Sequence, residues 1–207
     1  HRGGRTPWLV LAGSLALTAA ATLFVAMSAR GRDVARFENA VQSATDRIAG
    51  RLDIYTSTLR GGAALFASGD IDAAAFRRYA DRLEMARWYP GIQGFGWTPR
   101  VETGLAGEID ERYEIRYLEP LDERNRRAIG FDMYSEPTRR SAMRRARDHA
   151  EPALSGRVTL VQEGVGPVQP GFLLYVPVYE DGEIPATVEE RRARLLGFAY
   201  APFRAHD

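Results

Sequence analysis

The sequence contains no cysteine and no lysine, so all 28 of its basic residues are arginines. The absence of cysteine excludes a disulfide framework, thiol catalysis and cysteine-ligated metal sites. There are three histidines: His1 and His206 stand at the two ends of the sequence, and His149 stands alone beside an aspartate. The formal net charge of +1 argues against nucleic acid as the main partner.

Catalytic motifs are also missing. No HExxH, GxSxG, GxxxxGK[ST] or GxGxxG pattern occurs, and the sparse pair Gly164 and Gly166 is more typical of a turn than of a phosphate-binding loop. Glu119 and Asp132 are the carboxylates that would serve an anchored hydrolase, and this alternative stays open. We therefore expect ligand binding without catalysis, with no metal site and no cofactor.

One long segment carries no charge: the twenty residues from Trp8 to Met27. As a helix it would span the roughly 30 Å hydrocarbon core of a bilayer, so we predict a transmembrane helix over residues 8–28. Residues 1–7 would then be a cytoplasmic remnant. A cleaved signal peptide and a buried core helix are the alternatives. Arginines on both sides of the segment leave its orientation open by charge alone.

Small polar residues recur every four positions in this segment, at Ser14, Thr18 and Thr22. They would either form a face for close helix packing or hydrogen-bond to carbonyls of their own helix. Beyond the segment, apolar residues in steps of three and four predict a stalk helix over residues 29–69. We expect its apolar stripe to act partly as a dimer seam and partly as a face packed on its own domain.

The remaining chain predicts an α+β region over residues 70–207. Asp72 is a predicted N-cap for a helix running to Trp88, and Pro137 suits the first turn of a second helix ending near His149. The five arginines of that second helix predict a solvated face, with a phosphate-binding cluster as the alternative. Short runs rich in aromatic and β-branched residues predict strands at 91–101, 113–121, 129–134, 157–162, 172–179 and 195–203.

Two segments have a specific pattern: Tyr89-Pro-Gly-Ile-Gln-Gly-Phe-Gly-Trp-Thr-Pro-Arg-Val101, and Tyr117-Leu-Glu-Pro120 followed by Asn125 and Gly130-Phe-Asp-Met133. Pro177-Val178-Tyr179 completes the series. In this order and spacing the motifs resemble the CHASE domain, the extracytoplasmic sensor of many receptor histidine kinases and cyclases, including plant cytokinin receptors. The resemblance implies a membrane helix and a long stalk helix, followed by tandem PAS-like α/β modules whose C-terminal end is truncated here.

The resemblance also implies a ligand site. Asp132 and Leu154, 22 residues apart, match the family's aspartate that hydrogen-bonds a purine ring and its leucine that offers a backbone group. A carboxylate in an apolar slot needs a partner, and the N–H donors of a planar heterocycle would supply it. The alternative is that Asp132 caps the following turn. For Arg100, the alternatives are a ligand contact and an ion pair with Glu102 or Glu119. The pocket candidates are Phe131, Met133, Tyr134, Phe172 and Tyr175.

The predicted function is that of the exported sensor of a membrane receptor, most simply a histidine kinase of the inner membrane with its sensor in the periplasm. A small planar ligand such as an adenine-type cytokinin would bind it, and a homodimer would form through the stalk and transmembrane helices. Two alternatives stay open: the sensor of a diguanylate cyclase with another ligand, and a dimerisation scaffold that binds no small molecule.

Overall fold

The structure is a computed structural model that describes residues 6–69, 71–103, 110–161 and 170–204. The chain divides into two compact units, His1–Leu52 and Asp53–Asp207. In the described part of the first unit the chain is helical throughout, as the beginning of helix α1 (Thr6–Ala67). The hydroxyls of Ser14, Thr18 and Thr22 donate to backbone carbonyls three or four residues earlier in the same helix, at 2.8–2.9 Å.

The prediction of a transmembrane helix over residues 8–28 is wrong. No helix is both long and apolar enough to cross a membrane within the ranges of residues that the structure describes.

The last four turns of α1 belong to the second unit and have one buried face. Tyr55, Leu59, Ala63 and Phe66 follow one another at steps of three and four and are all less than a tenth exposed. Phe66 stacks on Trp97 with ring centroids 4.2 Å apart and an interplanar angle of 8°. This part of the predicted stripe is therefore a packing face.

Helix α2 (Ala73–Arg82) begins where the sequence predicts, because the Asp72 side chain accepts a hydrogen bond from the Ala75 N–H at 2.7 Å. It ends six residues before the predicted Trp88. Glu84 adopts a left-handed conformation (φ 44°, ψ 49°) that interrupts the helix, and the short helix α3 (Met85–Trp88) follows. The chain then turns at Gly91, whose φ of 89° suits glycine.

The strands of the described residues are β1 (Phe95–Thr103), β2 (Asp110–Tyr113), β3 (Tyr117–Glu119), β4 (Ala153–Leu154), β5 (Val158–Thr159), β6 (Pro170–Tyr179) and β7 (Leu195–Arg204). They form one antiparallel sheet in the order β2-β1-β7-β6-β4, with β3 paired to β1 and β5 paired to β6. Because β1 pairs with β7, the early and late strands belong to a single sheet. The prediction of tandem PAS-like modules is therefore wrong for this part of the chain, although the α+β class is right.

Helices complete the second unit: α4 (Glu123–Arg126), α5 (Pro137–His149) and α6 (Val188–Ala193). Pro137 occupies the first turn of α5 as predicted. The predicted strand over residues 129–134 is wrong. Residues 127–130 form a turn, and the Asp132 side chain then caps a 3₁₀ turn, Met133–Ser135, in place of an extended segment. This turn packs beside α5 on one face of the sheet.

The two faces of the sheet contact different elements. Leu173, Tyr175 and Tyr179 of β6 belong to a buried cluster that also contains Ala142, Met143 and Ala146 of α5. Residues of β6 at the alternate positions, such as Val176 and Val178, face the last turns of α1. The sheet thus separates an α5 side from an α1 side.

Candidate functional site

The α5 side of the sheet holds most of the predicted site residues. Met133, Tyr134 and Tyr175 belong to its buried cluster, and Phe131 packs against that cluster half-buried. Phe172 lies on the α1 side instead, where its ring stacks on Phe203 at 5.0 Å. The structure therefore brings Phe131, Met133, Tyr134 and Tyr175 together with Asp132 and leaves Phe172 apart from them.

Asp132 acts first as a local cap. Its Oδ1 accepts hydrogen bonds from the backbone N–H groups of Tyr134 at 2.9 Å and Tyr113 at 3.0 Å. These two bonds fix the carboxylate between the 3₁₀ turn and β2. Oδ2 accepts no hydrogen bond from any part of the chain that the structure describes. The capping role is thus present, and one carboxylate oxygen stays available.

The backbone of Leu154 already has partners. Leu154 pairs with Leu174 across the β4–β6 ladder, and its carbonyl accepts a hydrogen bond from Arg145 Nη2 at 2.6 Å. A ligand that used this carbonyl would have to share it with the guanidinium of Arg145.

Tyr134 lies under two arginines of α5. Arg144 Nε donates to the Tyr134 hydroxyl at 2.9 Å, and the Arg140 guanidinium carbon lies 5.9 Å from the ring centroid. On the other side, the Tyr113 ring approaches to 5.0 Å between centroids. These contacts hold the Tyr134 ring in the wall of the buried cluster.

Arg139 is the site residue that the sequence reasoning missed. Its side chain was expected on a solvated face, but the residue is only 3 % exposed. The helical spacing could have predicted its burial. Ala142, Met143 and Ala146 lie three, four and seven positions later on the same buried face of α5. Arg147 is buried for the same reason, one turn after Met143.

A small internal cavity of about 10 Å³, roughly the space of one water molecule, adjoins Arg139. Its lining includes Met133 and Tyr200 but not Asp132. Two polar side-chain atoms of the lining, Arg139 Nε and Tyr200 Oη, are buried without a hydrogen-bond partner. Burial raises the pKa of Tyr200 well above its usual value, so its hydroxyl stays protonated.

A larger groove of about 350 Å³ lies on the other face of the sheet, between the last turns of α1 and β6. Its walls are mostly apolar, and it contains none of the predicted site residues. The smaller cavity, unlike the groove, is lined by buried polar atoms without a partner and by the predicted site residue Met133, so we take it as the candidate site.

Arg100 belongs to a network of ion pairs that begins where β1 pairs with β2. It contacts Glu111 at 3.3 Å and donates to the backbone carbonyl of Arg192 at 2.9 Å. Glu111 also contacts Arg147 at 3.1 Å, and Arg147 contacts Asp148 at 2.8 Å. Arg100 thus forms a structural ion pair with Glu111, a partner that the sequence did not predict, while the Glu102 side chain lies outside the part of the chain that the structure describes.

Asp148 is the carboxylate of this network that responds most to its neighbours. The hydrogen bond from Arg192, at 2.7 Å, and then that from Arg147 lower the pKa of Asp148 to about 2. The ordinary pKa of an aspartate is 3.8, so the charged Asp148 carboxylate is more stable in the folded protein than in the unfolded chain.

Because the folded pKa is depressed, the stability due to Asp148 should be fully present above about pH 4 and should be lost as the pH falls towards 2. We expect Asp148→Asn to be less stable than the wild-type chain at pH 7, and the difference to shrink below pH 4. Urea denaturation between pH 2 and pH 7 measures it. A difference that stays constant over this range would contradict the assignment.

No group of three or more histidine, cysteine, aspartate or glutamate side chains within the described ranges could hold a metal ion. The polar side-chain groups of the cavity lining are the Arg139 guanidinium, which only donates hydrogen bonds, and the Tyr200 hydroxyl. The lining therefore offers hydrogen-bond donors and no charged acceptor.

Comparison with known proteins gives one family and a structural neighbour. The model of the CHASE domain matches residues 69–207. The chain is also similar to the ligand-binding domain of the Pseudomonas aeruginosa PAO1 amino acid chemoreceptor PctC in complex with GABA, with 15 % identity and a TM-score of 0.45. That alignment covers 78 % of this chain and 56 % of the chemoreceptor chain, so this chain spans little more than half the length of its neighbour.

No curated protein matches the chain. The CHASE match nevertheless extends over well over half of the sequence, and it confirms the resemblance that the motifs indicate. This chain belongs to the family of CHASE domains, which are extracytoplasmic sensor domains.

Proposed function

We propose that this chain is the ligand-sensing part of a receptor and that its small-molecule ligand binds on the α5 side of the sheet. The observation that carries the proposal is the cavity beside Arg139, where a guanidinium nitrogen and the Tyr200 hydroxyl are buried without a partner. Leaving such groups unpaired costs free energy, about 1–3 kcal/mol each, and native proteins retain few of them. A bound ligand that supplies acceptors would remove this cost.

For the ligand we propose a small planar molecule of the adenine type, held by Asp132, which lies on the same side of the sheet but outside the lining of the Arg139 cavity. Two backbone hydrogen bonds orient Oδ1 and leave Oδ2 without a partner in the described part of the chain. An N–H donor of a planar heterocycle would pair with this oxygen. Phe131, Met133, Tyr134 and Tyr175 would supply apolar surface, and Leu154 would offer its carbonyl together with Arg145.

Adenine derivatives should therefore stabilise the chain. At 100 times its Kd, such a ligand is expected to raise the free energy of unfolding by about 2.7 kcal/mol, measured as a thermal shift. Asp132→Asn should remove this shift, because the amide oxygen still accepts the two capping hydrogen bonds while the amide nitrogen cannot accept one from a ligand.

Asp122→Asn is the matched control. Asp122 caps α4 through a hydrogen bond from the Asn125 N–H at 2.8 Å and is not one of the proposed ligand residues. The shift should persist in this variant. A wild-type chain that shows no shift with any adenine derivative, or an equal shift in Asp132→Asn, would disprove the adenine-type assignment.

For the whole receptor we propose a periplasmic sensor that controls a histidine kinase and works as a homodimer. Exposed apolar residues along α1, at Phe37, Val41 and Ile48, support dimerisation through this helix, because they keep the helical spacing of a seam. A diguanylate cyclase output and a scaffold without a ligand are the alternatives. The adenine titration separates a sensor from a scaffold, since a scaffold would not respond to adenine derivatives.

A further inference from the structure

Arg139 is a buried cation without a buried anion. No carboxylate lies within 4 Å of its guanidinium among the residues that the structure describes. Nη2 donates to the Thr159 carbonyl at 2.8 Å, and Nη1 points to the Met133 sulfur at 3.3 Å. The Phe131 ring lies 4.9 Å from the guanidinium carbon. The charge of Glu136 acts on Arg139 only from beyond contact distance, so these contacts are weak compensation for a buried charge, which is normally paired with an opposite charge.

The neighbouring hydroxyls are donors as well. Tyr200 is only 1 % exposed, and its Oη has no partner. Tyr175 is fully buried and reaches the same Met133 sulfur at 3.6 Å, which is a weak acceptor. Burial raises the pKa of both hydroxyls, so both stay protonated and able to donate. Two donors of the cavity lining, Arg139 Nε and the Tyr200 hydroxyl, are therefore without a partner, and the Tyr175 hydroxyl outside the lining has only a weak one.

Some acceptors of the cavity lining are already in use. The backbone carbonyls of Ile115, Leu173 and Pro202 each accept a backbone N–H, from Gly130, Ser155 and Gln93 respectively. An anion needs no acceptor from the lining. It would accept hydrogen bonds from Arg139 Nε and the Tyr200 hydroxyl, and it would also pair with the charge of Arg139.

We propose that the Arg139 cavity binds a single monovalent anionic group, either the carboxylate of a small organic ligand or a free inorganic anion. The inference rests on the proposed sensor function and specifies the charge of the group that is recognised. The present cavity has room for little more than one water molecule, so a carboxylate must displace the flexible Met133 side chain from Arg139. A weak sulfur contact would then be replaced by a charge-assisted hydrogen bond.

The test is a thermal titration of the whole chain in a chloride-free buffer whose ionic strength is held constant with a bulky sulfonate. The probes are formate and acetate, with formamide and acetamide as uncharged counterparts of similar shape, and sodium chloride in a separate arm. At ten times its Kd, a bound anion should raise Tm by roughly 3–6 °C, and the amides should not. A response to the carboxylates but not to chloride assigns the site to an organic ligand. An equal response to chloride assigns it to a free anion.

Three variants locate the effect. Arg139→Met and Tyr200→Phe should both lose the anion response, and the second change removes only one hydroxyl, so the fold is expected to survive it. Tyr113→Phe is the matched control, because the Tyr113 hydroxyl is also buried without a partner but does not line the cavity. It should keep the full response.

The inference is overturned if formate, acetate and chloride all leave Tm unchanged, or if Arg139→Met responds as strongly as the wild-type chain. A wild-type chain that responds to adenine derivatives but to no anion would disprove only the anionic group and leave the sensor function in place. A chain that responds to neither class would contradict both proposals.

Discussion

Replacing Arg147 with methionine is expected to lower the free energy of unfolding by about 3 kcal/mol. The Arg147 side chain is 8 % exposed and contacts both Glu111, at 3.1 Å, and Asp148, at 2.8 Å. Removing it leaves two partly buried carboxylates beside each other without their shared cation. The effect lies at the lower end of values for buried ion pairs because Arg100 and Arg192 still contact these carboxylates. Urea denaturation at pH 7 measures it.

Arg127→Met is the matched control for this prediction. Arg127 forms an ion pair with Glu123 at 2.8 Å, but both side chains are about half or more exposed, so the change should cost no more than about 0.5 kcal/mol. Equal losses in the two variants would show that the Arg147 network contributes no more than a surface pair.

Replacing Phe66 with alanine is expected to lower the free energy of unfolding by about 3–5 kcal/mol. Phe66 is the last buried aromatic residue of α1, stacked on Trp97 of β1 and 5.5 Å between ring centroids from Phe76 of α2. The change removes a ring from the junction of three elements and leaves a cavity. Hydrogen exchange should show faster exchange in the last turns of α1 before the sheet is affected.

The same helix supplies the control for Phe66. Phe37 is 70 % exposed, so Phe37→Ala should change the stability of the isolated chain by no more than about 0.5 kcal/mol. This comparison is made at low concentration, where the proposed dimer is dissociated. If Phe66→Ala were equally mild, α1 would not depend on this aromatic contact.

Local signals in the sequence predicted local structure well. Asp72 and Pro137 mark the first turns of α2 and α5, because an N-cap and a first-turn proline act on their own backbone neighbours. The short runs rich in aromatic and β-branched residues predicted β6 and β7 to within two residues. The family motifs predicted the CHASE match, because they extend over most of the second unit.

Contacts between distant residues could not be predicted in the same way. Arg100 pairs with Glu111 because β1 and β2 are antiparallel neighbours, a fact of register that no local motif contains. The strand predicted through Asp132 became a 3₁₀ turn because its carboxylate caps the following N–H group. Arg139 was assigned to the surface by its charge, although helical spacing places it inward. For Arg139, therefore, the helical spacing is a better guide to burial than the charge of the side chain.

The central strands β6 and β7 separate the α5 side of the sheet from the α1 side. Tyr175 and Tyr200 face α5, and Val176 and Ala199 stand at the alternate positions. The peptide groups of these strands are therefore close to both sides. A backbone amide label at Tyr175 or Val176 would therefore report in one spectrum on an event at Arg139 and on the packing of the last turns of α1. Following two such amides on one strand over time would then show which side of the sheet changes first after a ligand is added.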